Sequence, residues 1–290
     1  MSVVYCRVPW LCCVDVRGAD AYDFLRRQLS NDPPDDDDRF SLAAWNDAHG
    51  RVRALFRIVR GAGGPLLIAE RDGLDAVLAK LRVFVLRSDV VLEPSGELEI
   101  AAVIGDATGL LDARGIRLGT EPGTAARGGG LVWLRQSGEL VHVVGPAGEL
   151  ERLRAELASA DAAHAAQAEI RAGLPYVGAV LAERYVPQML NLDRLGGIAF
   201  DKGCYPGQEV VTRLRHRGSV KRRLARFVAS AAEAPPPGTP VVDADGNEAG
   251  DVVRAAAVDG RLELLAVVRL DVPQGPLFVG SGTRVPLEPA

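Results

Sequence analysis

At 290 residues and 48% hydrophobic composition, the chain is long enough for two domains with sizeable cores. A net charge of −4 at pH 7 argues against bulk attraction to nucleic acid or to an anionic membrane. No stretch offers the roughly 18 apolar residues needed to cross a bilayer, MSVVYCRVPW does not read as a secretory signal, and four cysteines do not make a disulfide scaffold in a chain this long. The expected home is the cytoplasm of a bacterium.

In chain order, WLCCVDV reads as a strand with Trp10, Cys12, Val14 and Val16 on one face. GADAYDFLRRQLSND follows as a helix, with Asp20 as its expected N-cap. NDPPDDDD reads as an exposed loop, because its crowded aspartates would repel one another in a compact element. RVRALFRIVR and GPLLIAE flank GAGG and predict a hairpin. GLDAVLAKLRVFVL reads as an amphipathic helix running toward a strand. Residues 97–104 and 131–144 read as further strands, and ELERLRAELASADAAHAAQAEIRAG as helical. Strands mix with helices in no regular βαβ rhythm, which favours an α+β fold over a doubly wound sheet. AAEAPPPGTP, at 231–240, is the clearest linker, and beyond it short strands with a hairpin turn at Asp245-Gly246 predict a small all-β barrel or sandwich. The expected division is therefore 1–228 and 229–290.

The chemistry concentrates in DKGCYPGQE, residues 201–209. Tyr205-Pro206-Gly207-Gln208 fits a type II turn, with Pro fixing φ and Gly accepting a positive one. Glu209 would then sit in the first turn of a short helix, with Val210 and Leu214 facing inward. This places Cys204 on a bend beside a helix start. A free thiol has a pKa of about 8.5, and cations or a helix N-terminus can bring it near 7, so the placement predicts a reactive or metal-capturing sulfur. Lys202 lies two residues away, and from Arg213 to Arg226 there are seven Lys or Arg and no acid. Those cations have no interleaved aromatics, so anion capture is expected and direct RNA binding is not. Cys12 and Cys13 are adjacent in a strand and point to opposite faces; with Cys6 they read as structural residues.

KGCYPGQE closely resembles the cysteine signature of the YgfZ family, folate-binding proteins similar in fold to the aminomethyltransferase (GcvT) of the glycine cleavage system. PQMLNLDRLGGIAF, RHRGSVKRRL, EIRAGLPYVG and GADAYDFLRRQLSND resemble the same family in the same order, so the likeness covers almost the whole chain. It implies an α+β, GcvT-like folate-binding core followed by a C-terminal β-barrel. It also implies a cofactor, tetrahydrofolate or a derivative, and a role in the assembly or repair of iron–sulfur enzymes, among them those that thiomethylate tRNA. A tetrahydrofolate-dependent aminomethyl transferase is the alternative. Carried over residue by residue, the resemblance makes Cys204 and Lys202 the candidate catalytic pair. It makes Trp10, Glu169, Arg171, Tyr205, Gln208, Glu209 and Arg213 candidate folate contacts, with iron–sulfur proteins as transient partners. A pterin stacked on Trp10 would gain about 1–3 kcal/mol. Two positions depart from the family pattern: Ala165 stands where relatives often carry a second tryptophan, and Arg171 where many carry an acid, with Glu169 two places earlier.

Overall fold

The computed structural model describes residues 3–216, 218–271, 275–280 and 284–290. In chain order the elements are β1 (Val4–Arg7), β2 (Leu11–Arg17), α1 (Ala21–Gln28), β3 (Ser41–Asn46), β4 (Val52–Gly61), β5 (Gly64–Glu70), α2 (Leu74–Arg82), β6 (Val91–Pro94), β7 (Leu98–Ile104) and α3 (Thr108–Ala113). They continue as β8 (Ala125–Gly128), β9 (Leu131–Ser137), β10 (Leu140–Pro146), α4 (Ala147–Ala155), β11 (Ala158–Ser159), α5 (Ala162–Arg171) and α6 (Gln208–His216). The last strands are β12 (Arg222–Ser230), β13 (Pro240–Val242), β14 (Glu248–Val258), β15 (Arg261–Arg269), β16 (Leu277–Val279) and β17 (Val285–Pro289).

These strands make two open sheets, ordered β3-β4-β5-β2-β6 and β11-β1-β7-β10-β9-β8, and a closed barrel ordered β12-β15-β14-β13-β16-β17. The α+β expectation and the barrel are both realised. β2 explains how the first two layers meet. Its even residues Cys12, Val14 and Val16 pack against α1 and α2, while Leu11 and Cys13 face the second sheet. Both faces are buried, so the strand is apolar along most of its length. Trp10 departs from the expected pattern. It precedes β2 and packs toward the second sheet and the barrel, not with Cys12 and Val14.

Four other boundaries differ from the reading of the sequence. Asp20 does not cap α1: its carboxylate accepts the Asp89 amide at 2.8 Å. The helix expected through VFVL stops at Arg82, and VFVL is a chain of turns with Val83, Phe84 and Leu86 exposed. The long helical stretch breaks at Ala158–Ser159, which pairs with β1; Asp161 then caps α5 by accepting the Ala163 amide at 2.8 Å. Finally, the 228/229 boundary falls inside β12, which belongs to the barrel from Arg222 onward and pairs with β15 along its whole length. The Pro-rich linker drew the boundary too late because it joins two barrel strands. Among the described residues no helix is long and apolar enough to cross a membrane.

Candidate functional site

Two groups of polar side chains stand out, one on the loop before α6 and one buried between the layers. In the loop, the turn forms as expected: the Gln208 amide donates to the Tyr205 carbonyl at 3.2 Å and Gly207 has φ +76°. Glycine is needed there for a second reason. A Cβ at Gly207 would meet the backbone of Gly50 and lie 2.6 Å from the Asp47 carbonyl oxygen. Val211 is the fully buried residue of α6, and Val210 sits half-buried against Gly50, so the inward face is rotated by one residue from the expected one.

Cys204 is exposed on this loop, whereas Cys6, Cys12 and Cys13 are buried. Burial pushes the Cys13 thiol up to about 12. Lys202 does not serve the sulfur as a free cation. Its ammonium donates to the Leu29 carbonyl at 2.9 Å, pairs with Asp32 at 2.9 Å and lies 5.6 Å from the Tyr205 ring centre. Burial pushes the Lys202 pKa down, and Asp32 partly restores it. Tyr205 is buried, its hydroxyl has no partner among the described residues, and burial pushes that phenol up to about 12. Gln208 makes a long 3.5 Å contact to the Lys202 carbonyl, while Glu209 and Arg213 point to solvent.

The basic run is also less free than its sequence suggests. Arg222 pairs with Glu248, Arg223 with Asp193, and Arg226 approaches Glu263 at 3.9 Å. Arg215 lies 4.0 Å from the Phe200 ring centre, and Arg217 falls outside the described residues. The acids come from other elements, which is why a local reading missed them.

The second group centres on Glu169, on the buried side of α5. The Trp10 indole donates to Glu169 Oε2 at 3.0 Å, the Arg254 guanidinium of β14 pairs with the same oxygen, and His142 Nε2 of β10 lies 2.8 Å from Oε1. Burial works to raise the Glu169 carboxyl, but Arg254, His142 and Arg57 outweigh it and hold it at about 2. Burial pushes the His142 imidazole down despite that carboxylate, so the ring is neutral at pH 7. Arg254 also lies 4.6 Å from the Trp10 ring centre and 5.6 Å from that of Tyr176. A pterin stacking on Trp10 would therefore share the indole with a guanidinium.

Glu70 completes the group. It ends β5 in a buried position, and burial raises it to about 7 even with Arg57 and Arg254 nearby. Arg57 of β4 bridges the two sheets by donating to Gln136 Oε1 of β9 at 3.0 Å. These two residues line a cavity of about 330 Å³ that also touches Asn31, Arg39, Phe40 and Leu174. Among the described residues Gln136 Nε2 is a buried donor with no partner. Asn31, in the cavity wall, is the chain neighbour of the Asp32 that anchors Lys202.

Of the expected site residues, the structure brings Trp10 to Glu169 and Lys202 to Tyr205 and Gln208. Arg171 is not with Glu169: two places apart on a helix they face differently, and Arg171 holds Glu263 of the barrel through contacts of 2.6 to 3.1 Å. Ala165 is buried in the core against β1 and β7. The residues the sequence reading missed are Arg57, Glu70, Gln136, His142 and Arg254. Glu70 and His142 sit as lone polar residues in apolar strands, and that was their available signal; Arg57 shares β4 with Arg53 and Arg60, Arg254 shares β14 with Glu248 and Asp251, and Gln136 follows Arg135 near the end of β9.

No family model matches the chain. It is 30% identical over 275 residues to the "tRNA-modifying protein YgfZ" of Escherichia coli O157:H7 (strain EC4115 / EHEC), covering 91% of this chain and 84% of that protein. Its fold is similar to that of the glycine cleavage system aminomethyltransferase T from Bartonella henselae, with a TM-score of 0.73 at 16% identity, across 99% of this chain and 84% of the other.

Proposed function

The chain belongs to the YgfZ family, and from that premise we propose that it is a folate-binding accessory protein supporting the assembly or repair of iron–sulfur enzymes that modify tRNA. The observation that carries the reading is the Arg57–Gln136 cavity. Its volume of about 330 Å³ sits at the lower end of the range of about 300–1,000 Å³ typical of small-ligand sites. A pterin needs a few fixed donors and acceptors on an otherwise flat, apolar wall. Gln136 offers an unused amide donor, Arg57 a guanidinium, and Phe40 and Leu174 the apolar surface. Burial raises Glu70 to about 7, so near that pH Arg57 and Arg254 are only partly balanced by Glu169 and Glu70, which favours a carbonyl or anionic group. Arg39, also in the wall, suits the anionic glutamate tail. Reduced folate, when bound, supplies a carrier of one-carbon units. Cys204, exposed on a loop tied to Asp32, is the group proposed to meet the iron–sulfur partner.

Calorimetry with tetrahydrofolate tests the cofactor. Saturable binding is expected, weakened at least tenfold by Gln136→Leu and by Arg57→Met, both in the cavity wall; no heat with the unaltered chain removes the folate reading. In cells, Cys204→Ser should lower the activity of tRNA-thiomethylating enzymes while leaving folate binding intact. Full complementation by that variant removes the thiol role. Formation of a methylene adduct from an aminomethyl donor would favour a transferase instead.

A further inference from the structure

We infer that the shelf formed by α1 and the turns after α2 docks an acidic segment with apolar anchors on the iron–sulfur partner; the identity of that partner rests on the proposed function above. Val83, Phe84, Leu86 and Val91 are exposed by 68%, 42%, 87% and 46%, and make up four of the six large apolar side chains that are exposed among the described residues. Scattered exposed leucines need no explanation, but a contiguous group does. Phe84 and Leu86 of this group line a groove of about 710 Å³ whose walls also include Phe24, Arg27, Gln28 and Arg87.

Three details describe the occupant. Leu86 has φ +49°, a left-handed conformation that a branched apolar residue adopts at a cost, and it is spent on holding the side chain outward. Gln28 in the wall has its Oε1 buried with no donor among the described residues, so a rotation of that amide would present an acceptor to a peptide N–H. The rim is basic: Arg27 gives its Nε to the Asp23 carbonyl, and among the described residues neither Arg27 nor Arg87 pairs with a carboxylate. Asp20, the acid in the wall, is turned onto the Asp89 amide. An apolar anchor flanked by acids complements this surface. A second copy does not, because a two-fold contact would set the same arginines against each other.

The groove is joined to the thiol loop by α1. That helix has eight residues, about 12 Å of rise, and Leu29 at its end accepts the Lys202 ammonium. A partner seated on the shelf therefore lies against the element that anchors the Cys204 loop.

The test measures binding of the full chain to a purified, cluster-loaded tRNA-thiomethylating enzyme. Leu86→Asp and Arg87→Glu are each expected to weaken binding at least tenfold, and Leu270→Asp, another exposed apolar position, by less than twofold. Leu86→Asp should fold as well as the parent, since aspartate tolerates the left-handed region better than leucine, and matching thermal melts check this. Unchanged binding by Leu86→Asp overturns the docking surface. A dimer in sedimentation that Leu86→Asp dissolves overturns it in favour of a second copy. Binding of tRNA lost on Arg87→Glu but kept in Leu86→Asp overturns it in favour of RNA. If Cys204→Ser abolishes function in cells while Leu86→Asp keeps both binding and function, the shelf alone fails; if the enzyme binds neither form, the partner assignment falls with it.

Discussion

Glu70→Gln isolates the buried group with a near-isosteric change that removes only ionisation. The carboxyl is raised from 4.5 to about 7, so the folded chain holds a proton that the unfolded chain has released. Stability from this proton is full below pH 4.5 and is lost as the pH rises through 7. The span is 7 − 4.5 = 2.5 pH units, which at about 1.4 kcal/mol per unit gives on the order of 3 kcal/mol. Glutamine resembles the protonated acid and carries no such dependence. The variant should therefore match the parent near pH 4.5 and exceed it by up to about 3 kcal/mol at pH 8, or about 6 °C in melting temperature at about 2 °C per kcal/mol for a chain of this size. Thermal unfolding of both proteins from pH 4.5 to 8 checks this, because all other titrations cancel in the difference. A flat difference, or a variant less stable at pH 8, would mean that Glu70 is ionised and usefully paired with Arg57 and Arg254, and the account of the group would be wrong.

Arg254→Met leaves Glu169 buried without its main counter-charge and should cost about 3–5 kcal/mol; urea unfolding at pH 7 measures it, and a loss below 1 kcal/mol would show the pair to be dispensable. Because Glu169 is depressed to about 2, the stability it contributes is present above pH 4.5 and fades as the pH falls toward 2, so Glu169→Gln should lose its disadvantage in acid. Trp10→Phe removes one donor to that carboxylate and should cost about 1.5–3 kcal/mol, non-additively with Arg254→Met in a double-mutant cycle because both touch Glu169. Native alkylation should label Cys204 alone and denatured alkylation all four cysteines, as counted by intact mass.

Much of the architecture was legible because strand periodicity and turn residues are local signals. The hairpin at GAGG, the turn at Tyr205–Gln208 and the short barrel strands all follow from residues within a few positions of one another. What failed was decided at a distance. Trp10 belongs to β2 by pattern, yet Glu169, 159 positions away, fixes where its indole points. Lys202 reads as the neighbour of a thiol, yet an acid from the aspartate-rich loop claims it. VFVL continues the apolar pattern of α2, yet the helix stops at Arg82 and the segment becomes turns. The site was half legible for the same reason: a motif marks the loop, but the polar groups buried between the layers come from β4, β5, β10, α5 and β14.

The backbone meeting of Gly207 with Gly50 and the Asp47 carbonyl works as a rivet between two stretches of chain far apart in sequence. Neither turn can drift without dragging the other, so an epitope tag spliced after Asp47 would disturb the thiol loop more than an equal insertion near Ala62, where the GAGG bend stands clear. Choices of where to fuse, label or graft onto this scaffold follow from that tether more than from proximity along the sequence.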